Sequence, residues 1–252
     1  MSGPRVADYD RIASRYDRRY EIHEYAGARE ALLGFAGDSR AILEVGCGTG
    51  HWLATLGERS TIAGVEPSAE MIARARIAAP SATLARARAE ALPLRDASFD
   101  RIYCINALHH FSDRARFFAE ARRILKPGGG LLTIGKDPHA ERDSWWVYDY
   151  FPETVDIDRE RFARVRTLRG EMTLAGFSWS ESFEADRIEA AIAAAEALAT
   201  GVVDRAYTSQ LTVLSDQEFD AGVARIKAAN DAADGQLQLV SDFYLYATVG
   251  WV

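Results

Sequence analysis

The run Ile42-Leu43-Glu44-Val45-Gly46-Cys47-Gly48-Thr49-Gly50, where an apolar strand pattern stops at three alternating glycines, constrains this chain more than any other feature. Ala41 to Val45 reads as a buried strand, and the glycines predict a loop that turns into a helix near Gly50. Glycine has no Cβ and tolerates positive φ, so such a loop lets a ligand approach the backbone at the carboxyl end of a strand. The Gly-x-Gly-x-Gly spacing, followed by bulky His51-Trp52, departs from the Gly-x-Gly-x-x-Gly that seats a pyrophosphate on helix amides.

From Ala41 to Ile134 short apolar runs alternate with amphipathic helical patterns, the signature of βαβ units on a parallel sheet. Thr61 to Glu66 reads as the second strand. Ser68 is placed to cap a helix from Ala69 to Ala78, which Pro80 stops. Strands are expected near Thr83 to Ala87 and over Phe99 to Ile105. Ser112 and Asp113 open a helix to Leu125, and Lys126-Pro127-Gly128-Gly129-Gly130 ends it before a strand Leu131 to Gly135. The second half is less regular. Aromatics and charges crowd Asp137 to Arg161, Ala190 to Thr200 reads as helix, Ser215 and Glu218 form a capping box, and Phe243 to Trp251 reads as a closing strand. The expectation is an α/β Rossmann-like open sheet of about seven strands. It is mostly parallel with an antiparallel C-terminal strand, has helices on both faces, and carries a small lid after the fifth strand.

At 252 residues the chain suits one large α/β domain. With 37 acidic against 30 basic residues and a net charge of -7, it has no basic surplus to reward nucleic-acid phosphates. No apolar run reaches the roughly 18 residues of a membrane span and no signal-peptide core precedes the first strand, so a cytoplasmic protein is expected. Cys47 and Cys104 have no ligand-like spacing, so they are read as buried thiols and no metal site is expected.

Glu66 stands at the end of the second strand, about 20 residues past the first glycine, where a carboxylate in nucleotide-binding folds accepts from both ribose hydroxyls. With that residue in place, the glycine run resembles motif I of class I S-adenosylmethionine-dependent methyltransferases, in their type 11, ubiquinone-biosynthesis-like branch. Four further segments agree in order: Val65-Glu66-Pro67-Ser68 with Met71, Ala89-Glu90-Ala91-Leu92-Pro93-Leu94, Asn106-Ala107-Leu108-His109-His110-Phe111, and Leu125-Lys126-Pro127-Gly128-Gly129. Upstream, Tyr9-Asp10-Arg11-Ile12-Ala13-Ser14-Arg15-Tyr16-Asp17 is similar to the branch's leading helix. Residues 8–136 carry the likeness well and the remainder only loosely.

The resemblance implies one methyltransferase domain over residues 1–252, with an N-terminal helical cap over 1–35 and a lid or acceptor-binding region over 137–212. It implies S-adenosylmethionine as cofactor, S-adenosylhomocysteine as product and no metal. Tyr16 approaches the methionine carboxylate, Glu44, Gly46, Cys47 and Gly48 surround the methionine portion, and Glu66 with Pro67 holds the ribose. Met71, Arg88, Ala89 and Glu90 meet the adenine, and Asn106 and Ala107 flank the cofactor at the fourth strand's exit. Arg88 stands where the family often has aspartate and cannot accept from the adenine amino group, so that role passes to Glu90 or a backbone carbonyl.

Methyl transfer from a sulfonium is an in-line displacement that rests on alignment in a dry pocket, and a base is needed only when the acceptor is a hydroxyl or a protonated amine. His109 is the candidate base, with Asp137 and His139 as further candidates. His110, Trp145, Trp146 and Tyr148 are the candidate acceptor walls. A small-molecule methyl acceptor is the expected partner, with methylation at O, N or C, and a homodimer is left open. A non-catalytic S-adenosylmethionine-binding protein and a nicotinamide-dependent oxidoreductase are the alternatives. The glycine spacing and the missing Tyr-x-x-x-Lys pair argue against the latter.

Overall fold

A computed structural model describes residues 9–13, 16–17, 20, 23–57 and 61–252. Residues 1–8, Ser14 and Arg15 lie outside that description, as does part of the expected N-terminal cap. Strands β1 (Ala41–Val45), β2 (Thr61–Glu66), β3 (Thr83–Arg86), β4 (Phe99–Ile105) and β5 (Leu125–Gly135) pair in parallel in the order β3-β2-β1-β4-β5. The central stretches of β1, β2, β4 and β5 are buried on both faces, which is why they read as continuous apolar runs instead of alternating ones. Strand β8 (Gln238–Trp251) lies antiparallel to β5, with Gly130 opposite Trp251 and Gly135 opposite Tyr246. The two-residue β6 (Ser144–Trp145) pairs with β8 just beyond β5. The sheet is thus a Rossmann-like, mostly parallel α/β sheet of eight strands among the described residues.

One element departs from the sequence expectation. Residues 179–193 had been assigned to a lid and to the start of an alanine-rich helix, but they form β7 (Trp179–Ala193), a strand antiparallel to β8 along its whole length. The helix begins only at Ala194. β7 is half-exposed and rich in Glu and Ala, so composition alone disfavours a strand, whereas the free edge of β8 supplies its hydrogen-bond partners. The register shift between Glu184 and Asp186 leaves Ala185 unpaired, and beside it Asp186 Oδ2 accepts from Ala28 N at 3.0 Å and anchors the first turn of helix Ala26–Ala36.

Strand order reverses between β2-β1 and β4-β5, so a crevice opens at the carboxyl ends of β1 and β4, where ligands gather in open α/β sheets. Gly46 leaves β1 there with φ +79°, and a Cβ on it would lie 2.5 Å from Ala107 Cβ beyond β4. Only glycine lets the two strand exits close on each other. No helix of the described residues is long and apolar enough to cross a membrane.

Candidate functional site

The glycine loop is fixed by main-chain bonds. Gly46 N and Cys47 N both donate to Val65 O, at 2.8 and 3.1 Å, and Gly50 N donates to Cys47 O at 2.8 Å. Glu66 ends β2 with one carboxylate oxygen accepting from Gly48 N (3.2 Å) and the other from Ser68 N (3.0 Å). Burial pushes its carboxyl above the ordinary range, although these two amides pull it back. Ser68 Oγ in turn accepts from Met71 N at 3.1 Å, starting helix Ala69–Ala78 as expected. Glu44 is buried beneath the loop, where Tyr103 Oη donates to it at 3.1 Å; burial raises its carboxyl well above normal and raises the adjacent Cys47 thiol.

The next wall is the loop Ala87 to Glu90. Glu90 Oε1 accepts from Ser112 N (2.7 Å), Ser112 Oγ (2.8 Å) and Asp113 N (3.3 Å). Desolvation works against its charged form, yet these donors hold the carboxyl below its usual range. Arg116 Nε donates to Glu90 O at 2.8 Å, so the loop backbone is pinned as well. Arg88 reaches away from an acceptor's role: its Nη2 donates to Ser112 Oγ at 3.2 Å and its Nε lies 3.5 Å from Glu90 Oε2.

The third wall holds the histidines. His109 stacks on Phe162 with ring centroids 4.0 Å apart, and its Nε2 is 3.4 Å from Ser209 Oγ. His110 Nε2 hydrogen-bonds Tyr9 Oη, and its Nδ1 faces Arg161 Nη2 at 3.3 Å. A guanidinium only donates, so Nδ1 accepts and the His110 proton sits on Nε2.

These three walls enclose a cleft of about 1090 Å³. It is lined by Tyr16, Glu44, Gly46, Cys47, Gly48, Glu66, Pro67, Met71, Arg88, Ala89, Glu90, Asn106 and Ala107, together with His109 and His110. Its volume is just above the roughly 300–1,000 Å³ typical of small-ligand pockets. Beside the glycine loop, Trp52 Nε1 is buried with no hydrogen-bond partner among the described residues. No group of three or more His, Cys, Asp and Glu side chains among the described residues is arranged to hold a metal.

Five expected residues lie outside this cleft. Asp137 is a turn former: its carboxylate accepts from His139 N at 3.1 Å and Val165 N at 2.9 Å. His139 Nε2 meets Phe162 O at 3.0 Å. The chain turns away after β5, so neither group faces the crevice. Trp146 is a core side chain against Phe151 and Tyr207. Trp145 lines a separate small chamber together with Tyr9, His109 and Lys136. Tyr148 belongs to a buried network in which its hydroxyl donates to Asp158 Oδ2 (2.8 Å) and accepts from Lys136 Nζ (3.2 Å), while Gln210 Nε2 also donates to Asp158 Oδ2 (2.8 Å). Lys136 sits 3.9 Å above the Trp145 ring and 3.2 Å from Asp143.

What the sequence reading missed is helix Glu153–Arg161, which puts Glu153, Asp156, Ile157, Glu160 and Arg161 on the cleft. Their spacing of three, four, seven and eight residues marks one helical face. That regularity was the available signal, hidden because the face is charged instead of apolar.

Residues 43–133 match the family model described as a methyltransferase domain. Over 201 residues the chain is 28% identical to the ubiquinone/menaquinone biosynthesis C-methyltransferase of Acidiphilium cryptum, covering 70% of this chain and 81% of that one. Over residues 43–133 the chain is thus similar to the methyltransferase domain of the class I S-adenosylmethionine-dependent methyltransferases, type 11 branch. That likeness supports an S-adenosylmethionine-dependent methyltransferase. Against the other named relatives the match spans between 28% and 56% of their length. Among solved structures, the chain superposes with a TM-score of 0.68 and 21% identity on a candidate methyltransferase from an antibiotic biosynthesis pathway of Anabaena variabilis, covering 87% of this chain and 95% of that one. It also superposes, with a TM-score of 0.58 and 18% identity, on a Haemonchus contortus phosphoethanolamine N-methyltransferase bound to phosphomonomethylethanolamine and S-adenosylhomocysteine. That likeness covers 98% of this chain and 61% of the other. The two likenesses speak for the fold.

Proposed function

We propose that this methyltransferase transfers the cofactor's methyl group to an O, N or C centre of a small-molecule acceptor held beside His109, with the whole chain acting as one domain. The observation that carries this reading is the single cleft in which the glycine loop, Glu66, the Ala87 to Glu90 loop and His109 meet. When bound, S-adenosylmethionine supplies an activated methyl on a sulfonium.

The chain's own contribution is placement. Glu66 offers two carboxylate oxygens to the ribose hydroxyls, and Tyr16 and the glycine loop border the end of the cleft meant for the methionine portion. Glu90 Oε1 already takes three donors, so the adenine amino group falls to Glu90 Oε2, 3.5 Å from Arg88 Nε, or to a backbone carbonyl of the Ala87 to Glu90 loop. His109 lines the cleft with Nε2 3.4 Å from Ser209 Oγ, and it is the residue assigned to take a proton from an acceptor hydroxyl or ammonium. The acceptor enters over helix Glu153–Arg161.

Titration calorimetry with S-adenosylhomocysteine, followed by a labelled-methyl assay on phenols, amines, carboxylic acids and quinone precursors, tests this reading. Binding together with transfer to at least one small molecule is expected. Binding with transfer only to a protein or nucleic acid would sink the small-molecule part of it.

A further inference from the structure

His109 can take a proton only through a ring nitrogen that holds a lone pair, and the hydrogen bonds behind the ring decide which nitrogen that is. The ring plane is fixed by stacking on Phe162, with centroids 4.0 Å apart and planes 15° from parallel. Its Nε2 meets Ser209 Oγ at 3.4 Å. Ser209 lines the small chamber that also holds Lys136 and Trp145, and Thr208 and Gln210 stand beside it there.

The direction of each bond follows from the far end of this network. Lys136 only donates, so its bond to Tyr148 Oη (3.2 Å) turns the tyrosine's own proton to Asp158 Oδ2 (2.8 Å). Asp158 is fully buried, and its other oxygen faces Arg161 Nη1 at 3.8 Å as an ion pair. Oδ2 is therefore an acceptor, and the end of the Gln210 amide that meets it at 2.8 Å is Nε2. That turns Gln210 Oε1 to the hydroxyls of Thr208 and Ser209, the latter at 3.3 Å. A carbonyl oxygen only accepts, so Ser209 directs its one proton at Gln210 and presents lone pairs to His109 Nε2.

We propose that Ser209, oriented by Gln210 and through it by Asp158, is a positioning residue that holds His109 as the Nε2–H tautomer, with the lone pair on Nδ1. The proposal rests on the reading of His109 as the base. When the acceptor's O–H or N–H bond breaks, its electron pair stays on the acceptor atom and the proton bonds to Nδ1. In the opposite tautomer the ring's one lone pair would point at the Ser209 hydroxyl in the chamber. The short segment Thr208 to Gln210 thus acts on the reaction from behind the ring, with Ser209 lying 100 residues along the chain from His109.

The test is long-range ¹H–¹⁵N NMR on the full chain with ¹⁵N-labelled histidine, at mildly alkaline pH where imidazoles are neutral. His109→Ala identifies the His109 signals among those of the five histidines. Wild-type protein is expected to carry the His109 proton on Nε2. Ser209→Ala should raise the Nδ1–H share at least threefold, and Ser209→Thr, which keeps the hydroxyl, should return it to the wild-type value. Gln210→Met frees the serine proton to turn to Nε2, so it should raise that share beyond the level of Ser209→Ala. A proton on Nδ1 in the wild type, an unchanged share in Ser209→Ala, or an unchanged share in Gln210→Met overturns the proposal. If Gln210→Met fails to fold, the wild type and the two serine variants decide. Calorimetry on the same samples should give S-adenosylhomocysteine affinities within twofold of wild type. Wild-type protein that binds none of it refutes the methyltransferase reading itself, whereas the wrong tautomer in protein that does bind it overturns the positioning role alone.

Discussion

The proposed cofactor side of the cleft, built from residues 41–135, and the proposed acceptor side, built from residues after Lys136, are held by different forces. On the cofactor side each functional residue follows a strand end closely, and main-chain bonds fix it: Val65 O to the glycine loop, Gly48 N and Ser68 N to Glu66, Ser112 N and Asp113 N to Glu90. On the acceptor side the links join side chains far apart in sequence: Gln210 to Asp158, Arg161 to His110, His23 to Tyr207. Backbone geometry tolerates little change in what it binds. Side-chain networks can be rewired one residue at a time, so a shared cofactor and differing acceptors are the natural outcome.

If that division is right, removing the Glu66 carboxylate gives the largest effect on the cofactor. Glu66→Ala removes two charge-assisted acceptors, each worth about 1.5–3 kcal/mol. It also releases Gly48 and Ser68. Affinity for S-adenosylhomocysteine should fall roughly a hundredfold or more by calorimetry, equivalent to about 3 kcal/mol. Unchanged affinity would break the comparison at its firmer end. His109→Ala should act on the other quantity. For an acceptor that must lose a proton, kcat should drop by roughly a hundredfold near neutral pH. S-adenosylhomocysteine affinity should stay within twofold. A drop in affinity without a drop in kcat would move His109 to the cofactor side.

The same division explains what the sequence disclosed. The strands β1, β2 and β4 and helix Ala69–Ala78 are legible to the residue because apolar runs, glycines and the Ser68 cap act locally. Strand β7 is not, since its identity comes from the edge of β8, which follows it by more than forty residues in the chain. Asp137 and His139 stood at the carboxyl end of β5, where the general rule for such sheets expects ligands. Their role in a local turn depends on the amide of Val165, which the rule does not see. Arg161 carried only the spacing of its helical face as a signal, because its environment is made by Asp158 on its own helix and His110 on a distant loop.

Packing on the acceptor side supplies a control with a smaller effect. Gly222, in helix Asp216–Ala232, would place a Cβ 2.1 Å from the fully buried Phe151 ring. In an exposed helix Gly→Ala stabilises, but here overpacking should win and cost about 2 kcal/mol, or roughly 4–8 °C in Tm. The S-adenosylhomocysteine affinity of Gly222→Ala, measured below its melting range, should match wild type. Coupled losses in stability and cofactor affinity would show that the two sides are one cooperative unit.

The smallest effect probes the seam between the two sides and the N-terminal segment. His23 is buried with Nε2 2.8 Å from Tyr207 Oη, and burial lowers its pKa from 6.5 to about 4. An unfolded chain protonates this imidazole near pH 6.5, whereas the folded one resists until about pH 4. Between those values the unfolded state binds the extra proton, so stability is fully present above about pH 6.5 and is lost as the pH falls toward 4. The loss attributable to His23 should reach about 1.8 kcal/mol between pH 7 and pH 5. Urea titrations at pH 7 and pH 5 should show that difference in wild type and a correspondingly shallower one in His23→Gln, whose amide can still reach the Tyr207 hydroxyl but cannot take up a proton. An equal loss in both proteins would place the acid sensitivity elsewhere, and would mean that the contact joining Tyr207 to the N-terminal segment is not one the folded state must keep uncharged.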